Sequence, residues 1–213
     1  MTVDQLAAVP AKERNLDWEN QFLKALTESS VQVMTADPQY GPDGWPYLMV
    51  QTGEATEDSE PVQKILNWLS SRGLGMVVNP EKSSPDYIIS YGMVWSFRET
   101  GRFFNPYEMK DGQQLVVEQG MPLLAGDADV SYLPKDVRSI LKEFLRDQGI
   151  YQPKILVMST DRKHYDLAFS LESLGNPPEH EHRGIAEALG WFLPPHYSLV
   201  LISEKGLPSF FEL

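Results

Sequence analysis

Pro61-Val62-Gln63-Lys64-Ile65-Leu66-Asn67-Trp68-Leu69-Ser70-Ser71-Arg72-Gly73-Leu74-Gly75-Met76-Val77-Val78-Asn79-Pro80 contains two hydrophobic periods in one short run. Val62, Ile65, Leu66 and Leu69 recur at i, i+3, i+4 and i+7, which places them on one face of a helix. Ser59 is the expected cap, with Pro61 tolerated in the first turn because its missing N–H has no partner there anyway. Gly73 supplies the left-handed residue that ends the helix without a Cβ clash. Met76-Val77-Val78 then reads as a short buried strand, stopped at Asn79-Pro80. A helix thus feeds directly into a strand.

Moving outward, Asn15 is a good helix cap, with Asp17 and Glu19 in the first turn where the dipole favours negative charge. Trp18, Phe22, Leu23 and Leu26 predict an amphipathic helix over 16–28. Strands are expected at Ser30–Thr35 and Tyr47–Thr52, separated by a loop of turn-forming residues over 37–46. Residues 1–14 are expected to be a flexible N-terminus, with Pro10 blocking helix continuation. Beyond residue 100, glycines and prolines punctuate an irregular stretch with one expected strand, Gln114–Glu118.

Farther along, Val137, Ile140, Leu141, Phe144 and Leu145 predict a helix from Pro134 to Gln148, closed by Gly149. Ile155–Ser159 and Asp166–Leu171 read as strands around a polar turn. Asn176 and Pro177 open a helix whose face is Ile185, Ala188, Leu189 and Phe192. Tyr197–Ser203 is the last expected strand. The order helix, strand, strand, helix, strand therefore occurs twice. Leu48 and Val50 lie 119 residues before Leu167 and Phe169, while Val62, Ile65 and Leu66 lie 123 before Ile185, Ala188 and Leu189. The expected fold is α+β: two similar modules, 15–111 and 131–213, each laying helices on a small sheet and joined by a linker at 112–130.

Two passages carry a family resemblance. Ala25-Leu26-Thr27-Glu28-Ser29-Ser30-Val31-Gln32-Val33, followed by Gly73-Leu74-Gly75-Met76-Val77-Val78-Asn79-Pro80, resembles the N-terminal domain of the enhanced serine sensitivity (SseB) family. Ile185-Ala186-Glu187-Ala188-Leu189, continuing through Leu193-Pro194-Pro195 and Ser198-Leu199-Val200-Leu201, is similar to its C-terminal domain. The family has no well-established enzymatic activity. The resemblance therefore implies a binding or regulatory module and brings no catalytic residues or cofactor with it.

The chain has 213 residues, a formal charge of −12 and no cysteine. Absence of cysteine removes disulfides, thiolate metal sites and a cysteine nucleophile. Acidity is spread evenly, with 14 Asp/Glu against 7 Lys/Arg in residues 1–100. That balance repels phosphate, so nucleic acid is not an expected partner. With no basic leader and no long apolar run, a cytoplasmic location without membrane insertion is expected.

Gly73-Leu74-Gly75 begins like a dinucleotide fingerprint, but the third glycine is missing and the glycines follow a helix instead of opening one. His180-Glu181-His182 is the main metal candidate. On a helix, however, residues two apart diverge, and the preceding Asn176-Pro177-Pro178 predicts a first helical turn here. Asp127 with Asp129, and Asp161 with Asp166, read first as solvated acidic turns. His164 and His196 read as incidental turn and strand-start residues.

The most unusual stretch runs from Tyr91 to Tyr107. Six of its seventeen residues are aromatic, and Arg98 and Arg102 make it net positive. Aromatics with arginine are enriched at interface hot spots, which marks Tyr91, Trp95, Phe97, Arg98, Arg102, Phe103 and Phe104 as a candidate protein-binding surface. The competing reading is a helix, Tyr91–Thr100, ended by Gly101, whose Trp95 and Phe97 seal the space between the modules. Taken together, the sequence points to a non-enzymatic interaction or regulatory module with a protein partner and a possible homodimer. A metal-dependent hydrolase using His180, His182 and nearby carboxylates stays open, as does a secretion-chaperone-like binding protein.

Overall fold

The computed structural model describes residues 1–82, 84–104 and 123–213, which fall into two compact units, Met1–Phe103 and Phe104–Leu213. Both are α+β. Among the described residues no helix is long and apolar enough to cross a membrane.

The first unit opens with α1 (Val3–Ala7), where Thr2 and Gln5 form a reciprocal capping box. The flexible N-terminus expected over 1–14 is therefore a folded segment: Val3, Leu6 and Ala7 are buried. Its docking is polar as well as apolar, since Trp18 Nε1 donates to Leu6 O at 2.9 Å and Arg14 Nη2 donates to Ala7 O at 3.1 Å. A 3-10 turn at Ala11–Glu13 leads into α2 (Leu16–Thr27), whose cap is the expected one, with Asn15 Oδ1 accepting from Trp18 N at 2.9 Å.

Then follow β1 (Ser30–Val33), β2 (Gln39–Tyr40), β3 (Pro46–Gln51), β4 (Ser59–Pro61), α3 (Val62–Ser70), β5 (Gly75–Val78), β6 (Tyr87–Ile89) and α4 (Tyr91–Thr100). The sheet runs β4-β1-β3-β5-β6, with β2 also on β3. Only β3 and β5 are parallel, joined by the α3 crossover. Leu48, Val50, Met76, Val78 and Ile89 are all buried, forming the sheet's share of the core.

Ser59 does not cap α3. Its backbone pairs with Gln32 across β1 and its Oγ accepts from Thr56 N, so Pro61 stands at the N-cap position without a side-chain bond. Sheet pairing has taken the residue that local propensity assigned to the helix.

The second unit contains β7 (Leu124–Gly126), α5 (Lys135–Asp147), β8 (Lys154–Ser159), β9 (Asp166–Ser170), α6 (Glu179–Trp191), β10 (Ser198–Ile202) and β11 (Phe211–Glu212). Its order is β10-β9-β8-β11, with β7 also on β8, and only β9 and β10 are parallel. Part of the expected linker is thus folded: Leu124–Gly126 is a strand and Ala128 is buried. The expected strand Gln114–Glu118 and the earlier part of the linker lie outside the described residues.

The internal repeat is visible in strand pairing. β1-β3-β5 and β8-β9-β10 share the same order and directions, antiparallel then parallel around a helical crossover. Leu48 pairs with Met76, and Leu167 with Leu199, so the offsets of 119 and 123 meet in one register. The first strands follow a third offset. Val33 pairs with Val50 and Ile155 with Phe169, placing β8 122 residues after β1.

Candidate interaction site

The aromatic stretch forms the expected helix α4, ended at Gly101. Ser90 Oγ accepts from Met93 N, and Gly101 takes a left-handed conformation with its N–H donating to Phe97 O at 2.8 Å. The helix lies on α3 and β5, which turns most of its aromatics inward. Tyr91, Trp95, Phe103 and Phe104 are buried, and Tyr91 OH donates to Ser70 O at the end of α3. Phe97 stacks on Phe103 with centroids 4.8 Å apart. Of the seven candidate interface residues, Phe97 and Arg98 are half-buried and Arg102 alone is exposed. Arg98 Nε donates to Glu99 at 2.8 Å. The strip is therefore divided, its large anchors packing the module and its arginines left at the rim.

His180 and His182 occupy the first turn of α6. The His180 side chain is 81% exposed, while His182 Nε2 lies 2.9 Å from Pro177 O. Among the described residues no three His, Asp or Glu side chains are placed to share a metal ion. Asp127 lies 3.5 Å from Arg138, and Asp129 accepts from Ser131 N, which with the Ser131 hydroxyl holds that carboxyl below its usual range. Asp166 accepts from Ser198 Oγ, and His196 packs edge-on against Tyr197.

Asp161 and His164 form a dyad, Oδ2 to Nδ1 at 2.5 Å. The imidazole hydrogen bond and the backbone amides of His164 and Lys163 hold the Asp161 carboxyl well below its ordinary value. Ser159 Oγ sits on the Arg162 amide and the Asp161 carboxylate, not on the imidazole, so the nucleophile-to-base link of a hydrolytic triad is not made.

Gly75 has a structural reason of its own. A Cβ there would lie 2.6 Å from Ile89 O and from the Tyr47 ring, so close strand packing demands the glycine. At the opposite end of β5, by the carboxyl ends of β3 and β5, lies a recess of about 340 Å³ bordered by Asp4, Ala8, Thr52, Asn79, Glu81 and Lys82. Such strand ends are common ligand positions, and several of the polar groups here engage one another. Asn79 Oδ1 accepts from Thr52 N, while Asn79 Nδ2 and Lys82 Nζ both donate to Asp86 Oδ2. The equivalent strand ends of the second unit are tied in the same way, with Ser170 Oγ donating to Glu204 and Ser203 Oγ to Glu172.

Among the described residues, one strand edge carries no pairing partner. β10 (Ser-Leu-Val-Leu-Ile) carries no charge, proline or glycine, and its last four residues are only half-buried. Among the described residues it pairs with β9 alone. Ile202 O accepts from Leu171 N, on the β9 side. Because successive residues point their backbone groups to opposite sides, the N–H and C=O of Leu199 and Leu201 face away from the sheet. The other edges are shorter or guarded: β4 contains Glu60 and Pro61, β6 and β7 are three residues each, and β2 and β11 are two.

The chain matches no protein-family model, no curated protein and no solved structure. The SseB resemblance accordingly rests on the residues that carry it.

The open edge was not among the candidates drawn from sequence. The only signal there was Ser198–Ile202 itself, an apolar strand without the charges or prolines that usually guard an edge.

Proposed function

We propose that the protein is an interaction module of regulatory character, the role implied by the SseB resemblance, and that it binds other polypeptide chains along β10 and the adjoining face of α6. The observation that carries this reading is the row of outward backbone groups on Leu199 and Leu201 in an uncharged apolar strand. An extended segment laid on such an edge gains main-chain hydrogen bonds, while the flanking apolar side chains supply selectivity. The arginine rim of α4 is secondary, because its anchors are already used in packing.

A photo-reactive benzophenone side chain placed at position 183, on the helix that packs against β10, and separately at position 72, on the other unit, tests this in cells. A discrete adduct is expected at 183 only. It should disappear when Leu201→Pro removes an outward N–H, a change an edge strand tolerates when that N–H faces solvent. No adduct at 183, or one indifferent to Leu201→Pro, would sink the reading.

A further inference from the structure

The recess at the carboxyl ends of β3 and β5 is built on fixed backbone. Asn79, just after β5, stands in the left-handed region at φ 54°, an uncommon conformation outside glycine. Its N–H donates to Val50 O at 2.8 Å, and its side chain joins Thr52 to Asp86. The two parallel strands are thereby tied where their chains leave the sheet. Ala7 and Ala8, at the end of α1, form part of the wall, and Lys82 fastens that wall by donating to Ala7 O at 3.2 Å. At about 340 Å³ the recess has the size of a small-ligand site.

Both signs of charge border it, and neither is fully used within the chain. Arg14 and Lys82 share the single carboxylate of Asp86, two cations against one anion. Lys82 has three donors and uses two, on Ala7 O and Asp86 Oδ2; the third has no acceptor among the described residues. Thr52 Oγ1 accepts from Asn79 Nδ2 at 3.0 Å, which leaves its O–H as a further donor. Asp4 and Glu81 also line the recess, and among the described residues neither carboxylate has an ion-pair or hydrogen-bond partner. At the matching strand ends of the second unit, by contrast, Glu172 and Glu204 accept from the hydroxyls of Ser203 and Ser170.

We infer that this recess binds a small zwitterion of the free amino acid class. The ligand's carboxylate accepts from Lys82 and the Thr52 hydroxyl, and its ammonium donates to Asp4 and Glu81. The site lies wholly within the first unit and is independent of the β10 edge. A simple anion such as phosphate would meet two unpaired carboxylates, and a simple amine would leave the Lys82 donor unmet. A hard metal ion would find only those two carboxylates beside an ammonium, short of the several oxygens it needs. A molecule carrying both charges answers both sides, each through charge-assisted hydrogen bonds. Gln51, also at the border, offers an amide donor and acceptor to a polar side chain.

The test follows the backbone amide resonances of the full, isotope-labelled chain while each common L-amino acid is added in turn. At least one amino acid with a polar side chain should shift Thr52, Asn79, Glu81 and Lys82 saturably, with a midpoint at or below about 1 mM. Its methyl ester, which lacks the carboxylate, and its N-acetyl derivative, which lacks the ammonium, should each bind at least about tenfold more weakly. Because these probes leave the protein unchanged, folding does not enter the comparison. The double variant Asp4→Asn with Glu81→Gln should weaken the free amino acid by at least the same factor, with its circular dichroism unchanged. No shift with any amino acid up to about 10 mM would overturn the proposal. So would an ester or N-acetyl derivative that binds as tightly as the parent, a double variant with full affinity, or shifts confined to residues away from the recess.

Discussion

Asp86 is the residue on which the first unit's polar interior converges. Its side chain is 2% exposed and receives Arg14 Nη2 at 2.7 Å, Lys82 Nζ at 2.5 Å and Asn79 Nδ2 at 2.6 Å. Burial on its own would raise the carboxyl's pKa. The hydrogen bonds from Lys82, Asn79 and Arg14 together outweigh burial and leave it below the ordinary 3.8. With the folded value lowered, the ionised carboxylate contributes stability fully above the unfolded pKa. That contribution fades as pH falls through the folded value. Asp86→Ala strands Arg14, whose side chain is 16% exposed, and should cost about 3 kcal/mol near neutral pH, the low end for a broken buried pair because Lys82 reaches water. Urea unfolding of both proteins from pH 7 to pH 3 should show a constant gap down to about pH 5 that narrows below about pH 4. A gap that widened in acid would reverse the assigned sign.

Among elements, legibility followed length and local signal. α2, α3 and α5 and the strands β3, β5, β8 and β9 could be read because each carries a full period of apolar residues or a cap. β4, β6, β7 and β11 could not, since two or three residues show no period and become strands only when a longer partner pairs with them. The edge position of β10 was hidden for a related reason. Its composition was in plain view, but that it pairs with β9 alone among the described residues is a property of the assembled sheet.

α1 shows the same override from the opposite side. A five-residue helix is too short to be stable alone. It exists because Leu6, 3% exposed, and Val3 pack inward while Trp18 and Arg14 take its terminal carbonyls. Leu6→Ala should therefore cost about 2–4 kcal/mol in urea unfolding and raise the fluorescence response of Trp18 to a soluble quencher. A cost below about 0.5 kcal/mol, the range of surface substitutions, would return residues 1–14 to the loosely held segment that Pro10 suggested.

For the whole molecule, the repeat means that one architectural solution is used twice, and each copy closes its own core. Leu69 in α3 and Leu141 in α5 are both fully buried, each within its own unit. Removing either leaves a cavity that only the surrounding unit can relax, at a cost of about 2–5 kcal/mol. Units of roughly one hundred residues lose about 4–8 °C of midpoint per kcal/mol, so either change should displace a thermal transition by more than about 8 °C. Calorimetry of the full chain should resolve two components, with Leu69→Ala lowering one and Leu141→Ala lowering the other. If the two substitutions moved a single shared transition by equal amounts, the units would be one cooperative body.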